Sequence, residues 1–81
     1  MEKEFFEGDY TVTVTASPDN SQDEGKRFRA DVVIRRTGTD DVLNSFFRYV
    51  AAAQGTLRLD DAIYHGLRAA RENIEAGFPR D

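Results

Sequence analysis

Residues Asp60 to Pro79 carry helix stops at both ends, and no other stretch constrains the fold as much. Asp60 and Asp61 stand where a carboxylate caps free N–H groups and meets the positive end of the helix dipole. Ile63, Leu67, Ala70 and Ile74 follow at spacings of four, three and four, which places them on one helical face. Gly77 supplies a left-handed closing residue and Pro79 forbids continuation. The spacing predicts a helix over about 60–76 with a single apolar stripe. Such a helix needs a surface to cover, and the rest of the chain must provide it.

Two strands are written just as plainly. Tyr10 to Ala16 alternates strictly, with Tyr10, Val12, Val14 and Ala16 on one side and Thr11, Thr13 and Thr15 on the other. Arg27 to Arg36 repeats the pattern, with Phe28, Ala30, Val32 and Ile34 opposite Arg27, Arg29, Asp31, Val33 and Arg35. The two apolar sets must align in one hairpin, because a slip of one residue would turn one set to water. Ser17-Pro18-Asp19-Asn20 has turn chemistry and opens a long, mobile connection reaching Gly25. Thr37 to Asp41 is a second turn around Gly38.

Residues 42–53 read two ways. As a helix, Val42, Leu43, Phe46, Phe47 and Val50 lie between an Asp40 cap and a Gly55 stop, and Ala51 to Ala53 favour this. As a strand over about 42–50, Leu43, Phe47 and Tyr49 share one face, while Val42, Phe46 and Val50 share the other. The aromatic content and the short preceding turn favour the strand. Residues 1–8 are expected to be a loosely held arm, tacked down by Phe5 and Phe6.

The 81 residues make one domain, 1–81, with a small core, since a chain of this size buries only about 60–65% of its extended surface. With no cysteine there is neither a disulfide nor a thiolate metal site. The first seven residues are acidic and lack an apolar run, against a secretory leader. The uncharged run Tyr49 to Leu57 is far shorter than the roughly 20 apolar residues of a membrane helix. A soluble cytoplasmic protein is expected. The net charge of −4 disfavours nonspecific binding to nucleic acid or anionic membrane. That charge is unevenly spread: residues 1–25 hold seven acids against Lys3, whereas 26–36 hold Lys26, Arg27, Arg29, Arg35 and Arg36 against Asp31. Compensation across a hairpin is the plainest account of this asymmetry.

The stretch Asp61 to Ile74 carries an acidic residue before Ala62, then Gly66-Leu67, then Ala70-Arg71, then Ile74 before Glu75, ending at Gly77. In this it resembles small uncharacterised bacterial domains with a β-meander followed by one C-terminal helix. The resemblance covers the last third of the chain and implies a fold more than an activity. The apolar Val50 to Ala53 segment departs from the short polar linker of such domains.

Chemistry is sparse. His65 is the single histidine, lies off the apolar stripe beside Tyr64, and has no cysteine partners for a zinc site. Ser17 and Ser45 stand in no nucleophile elbow. The pairs Asp40-Asp41 and Asp60-Asp61 sit where turns and caps want acids, and there is no calcium loop or phosphate-binding glycine loop. No catalytic, cofactor or metal residues are assigned. Gly66, costly inside a helix by about 1 kcal/mol against Ala, marks close approach of another backbone, either the underlying sheet or a second subunit.

The candidate partner-binding residues are Arg27, Arg29, Arg35 and Arg36 with Phe46 and Phe47. Arginine forks carboxylates and phosphates and stacks on aromatics, and adjacent phenylalanines on a strand must point to opposite sides. The expectation is an α+β domain: an antiparallel hairpin or three-stranded meander (about 9–17, 27–36 and 42–50) under one C-terminal helix, with a ββαα arrangement helical over 41–54 as the alternative. The function expected is a small non-enzymatic protein-interaction or regulatory module, binding a protein partner or itself. The alternative is a nucleic-acid-associated protein using the arginine face.

Overall fold

Four strands follow one another into an antiparallel sheet of order β1-β2-β3-β4, and one helix lies across it. The elements are β1 (Glu2–Glu7), β2 (Tyr10–Asp19), β3 (Arg27–Arg36), β4 (Val42–Ala51) and α1 (Leu59–Ala76). The computed structural model describes residues 1–19, 27–51 and 58–77. The expected mobile connection after Asp19, residues 52–57 and Pro79 lie outside the described residues.

The α+β architecture expected from the sequence is present. The central hairpin aligns its apolar sets: Val12 faces Ile34, Val14 faces Val32 and Ala16 faces Ala30, all fully buried. α1 covers this face with Ile63, Leu67 and Ala70 of the expected stripe, and Ile74 packs at its margin. Ala62, Gly66 and Ala69 are buried as well. These small residues bring the helix axis close to the sheet. A Cβ placed on Gly66 would stand 2.6 Å from Val14 Cγ1 and 3.3 Å from Val32 Cγ2. The close approach signalled by that glycine is therefore the underlying sheet.

The helix ends are built slightly differently from the expectation. Arg58, in extended conformation, is the N-cap, and Asp61 reaches back to accept its N–H at 2.9 Å. Asp60 sits in the first turn, where its charge meets the dipole, 3.9 Å from Lys3 Nζ. At the other end Gly77 takes φ 87° and donates its N–H to the carbonyls of Asn73 and Ile74. This is the closing role expected of it.

Two features differ from the sequence expectation, and one ambiguity is resolved. First, residues 1–8 are no loose arm: β1 pairs with β2 from Glu2↔Thr15 to Glu7↔Tyr10. Without β1, β2 would present an unpaired row of backbone donors and acceptors, and pairing satisfies them. Gly8, at φ 61°, sits in the tight turn between the two strands. Arg71 Nε donates to Glu7 Oε1 at 2.7 Å, and Phe5 packs on the core. The meander accordingly has four strands, not three. Second, Ser17 and Pro18 continue β2 instead of turning. β1 is already used up at that point, since Met1 pairs with Ala16 through two backbone bonds of 2.7 and 2.9 Å. Pro18 therefore lies where no outer neighbour needs its missing N–H. Residues 42–51 are strand, which is the reading favoured for 42–50, and not the helical alternative. β3 needs a partner on its outer side, and the β-branched and aromatic residues of β4 suit a pleated surface.

A bulge modifies β4. Ile34 pairs with Asn44 but Arg35 pairs with Val42, so Leu43 is an extra residue. Simple alternation places Val42 with Phe46 and Val50; the bulge instead aligns it with Arg35 and leaves it 54% exposed. No helix among the described residues is long and apolar enough to cross a membrane.

Candidate functional site

α1 lies over β2 and β3, so it leaves the opposite sheet face open and the β4 margin lightly covered. The register fixes what the open face displays. Glu2, Glu4 and Phe6 stand on β1, then Thr11, Thr13 and Thr15 on β2. Arg29, Asp31, Val33 and Arg35 follow on β3 beside Tyr49, Phe47, Ser45 and Val42 of β4.

The arginines and aromatics of this face interlock. Arg27 Cζ lies 4.0 Å from the Tyr49 ring centroid, and Arg29 Cζ lies 4.2 Å from that of Phe47. The two rings meet edge to face at 5.4 Å. Cation–π contacts at exposed positions contribute about 0.5–1 kcal/mol each. Arg29 Nε also donates to Asp31 Oδ1 at 3.0 Å, but both side chains are more than 40% exposed, so solvent screens the pair. Phe47 and Tyr49 remain 49% and 47% exposed despite the stacking. On β2, the Thr11 and Thr37 hydroxyls lie 3.0 Å apart, and Thr15 donates to Glu2. The Thr13 hydroxyl is buried with no hydrogen-bond partner among the described residues.

The residues singled out by sequence therefore divide. Arg27, Arg29, Arg35 and Phe47 share the open face. Arg36 does not join them: it pairs with Tyr10 at the last position of β3, where alternation sends its exposed side chain to the helix side. Phe46 also lies on the helix side, half-buried against the core, with Arg48 Cζ 5.7 Å from its ring centroid. Tyr49 completes the aromatic pair and was not among the candidates. Its signal was its place two residues from Phe47 on an alternating strand, which becomes useful only once the β3–β4 register is known.

On the helix side, β4 and the C-terminal half of α1 enclose an open groove of about 460 Å³. Its walls include Asn44, Phe46 and Arg48 of β4 and Ala69, Glu72 and Asn73 of α1. Asn44 Nδ2 donates to Asn73 Oδ1 at 3.0 Å and fixes the groove at one end. Elsewhere, His65 lies exposed in a shallow depression with Asp61, Tyr64 and Arg68. Asp61 is committed there to the helix cap, and no hydroxyl or thiol nucleophile apart from the Tyr64 phenol joins the group. No trio of His, Asp or Glu side chains among the described residues is arranged to hold a metal ion.

The two sheet edges are unlike. β1 carries four charges in six residues, Glu2, Lys3, Glu4 and Glu7. β4 runs ten residues, Val42–Ala51, with Arg48 its one charged side chain. No protein-family model, curated protein sequence or solved structure matches this chain.

Proposed function

We propose that this chain is a small non-enzymatic interaction module that receives a protein partner along the β4 edge and the adjoining open face. The observation that carries the reading is the asymmetry of the edges. A long, weakly charged edge strand offers an unpaired ladder to another chain, and sheet proteins normally blunt such edges with charge. Here β1 has four charged side chains in six residues, while β4 has only Arg48 in ten. Strand addition would draw affinity from main-chain hydrogen bonds and specificity from alternate side chains, here Phe47 and Tyr49 on one side and Phe46 on the other.

A nucleic-acid partner for the same face is the second reading, favoured by the two arginine–aromatic stacks. Three observations weigh against it. The guanidinium groups already occupy a face of Tyr49 and of Phe47, Glu2, Glu4 and Asp31 share the surface, and the net charge is −4. A pulldown with the wild-type chain and a Ser45→Lys/Phe47→Glu edge variant, with and without nuclease, separates the readings. Protein captured by the wild type and lost with the variant supports strand addition. Nuclease-sensitive recovery that fades steeply with salt refutes it in favour of nucleic acid.

A further inference from the structure

Resting on the interaction reading above, we propose that the partner at β4 is a second copy of this chain, paired antiparallel about a two-fold axis at Phe47. The strand is complementary to itself in this register. Phe47 faces its own mate, an aromatic cross-strand pair on the open side. Tyr49 faces the second copy's Ser45. On the helix side, Arg48 faces the second copy's Phe46 and so repeats across the axis the cation–π contact seen within one chain. Arg48, the single charge on β4, never meets its own mate. A two-fold interface uses the same patch on both copies, so both unpaired ladders are satisfied at once.

Charge complementarity argues for a second copy over an unrelated strand. The groove beside β4 holds Glu72, which forms no ion pair among the described residues. Arg48 likewise has no acidic partner among them; its recorded contact is the Phe46 ring. Pairing at Phe47 sets each Arg48 at the mouth of the other copy's groove, within reach of its Glu72. α1 does not obstruct this, because it lies mainly over β2 and β3. The product is a continuous eight-stranded sheet whose joined open faces carry Phe47 and Tyr49 from both copies at the centre. Edge pairing alone buries less than a standard interface of about 1,600 Å², so the association is of the weak, transient kind.

The test is sedimentation equilibrium of the purified full chain over a wide concentration range, with hydrogen exchange at the β4 amides. The expected result is a reversible monomer–dimer equilibrium and slower exchange at β4 as concentration rises. Arg48→Glu and Glu72→Arg are then measured singly and mixed. Each variant alone sets like charges together twice across the axis and should lower the association constant by about tenfold. Mixed in equal amounts, the two should form a heterodimer with affinity restored, because both cross-axis pairs become Glu–Arg. Restoration in the mixture cannot come from a contact within one chain, and thermal melts verify that both variants fold. A chain that stays monomeric throughout overturns the second-copy assignment, while the edge-variant pulldown decides the interaction reading separately. A dimer indifferent to mixing, with β4 exchange unchanged, overturns the β4 geometry.

Discussion

Replacing Gly66 with Ala sets two known effects against each other at one atom. In an ordinary helix interior the change is favourable by about 1 kcal/mol, because Ala loses less backbone entropy than Gly. Here the new methyl would stand 2.6 Å from Val14 Cγ1, closer than packed carbon atoms tolerate. Val14 cannot move aside easily: it is fully buried, and its two methyls on Cβ leave few χ1 choices. Overpacking of this sort costs about 1–3 kcal/mol. The balance predicts that Gly66→Ala destabilises the domain by up to about 2 kcal/mol. At roughly 4–8 °C per kcal/mol for a domain of this size, the melting temperature falls by several degrees. A double-mutant cycle with Val14→Ala isolates the cause. Removing the Val14 methyls opens the space, so Gly66→Ala should become neutral or stabilising in that background, with a coupling of about 1–2 kcal/mol. Circular-dichroism melts of the four proteins measure it. If Gly66→Ala raises the melting temperature of the parent protein, or acts equally in both backgrounds, the argument from close approach is wrong.

Two further substitutions probe the packing. Leu67 is only 4% exposed at the centre of the helix stripe, so Leu67→Ala should cost about 2–5 kcal/mol in urea unfolding; an unchanged midpoint would show the helix to be turned differently. Thr13→Val removes a buried hydroxyl that has no partner among the described residues and should stabilise by about 1 kcal/mol; a loss of stability in a thermal melt would mean that the hydroxyl is satisfied after all.

The parts of the fold legible in the sequence are those governed by local periodicity. The 10–16 and 27–36 alternations satisfy burial only with their apolar sets on one face, and the structure has them so. The helix stripe and the Gly77 closure likewise depend on neighbours three or four residues apart. Features set by distant partners were not legible. β1 reads Glu-Lys-Glu-Phe-Phe-Glu, with Phe5 as its only core-packing side chain, and it is held through backbone bonds that β2 makes available. The bulge at Leu43 shifts Val42 to another face without any mark in composition. The candidate surface was half visible for the same reason. Alternation assigns Arg27, Arg29 and Arg35 to one face and would equally have excluded Arg36, yet that Arg27 and Arg29 stack on Tyr49 and Phe47 follows from the β3–β4 register.

The strand order β1-β2-β3-β4 also bears on how the chain comes together in time. Each strand pairs with its neighbour in sequence, so every pairing closes a short loop, and a sheet of this kind can zip up quickly. α1, however, comes after all four strands. Any state in which the sheet has formed and α1 has not docked therefore leaves Val12, Val14, Val32 and Ile34 without their cover. Until Leu67 and Ala70 pack down, the sheet is sticky on its apolar face as well as along the β4 edge. That interval, before α1 docks, leaves the apolar face open to aggregation.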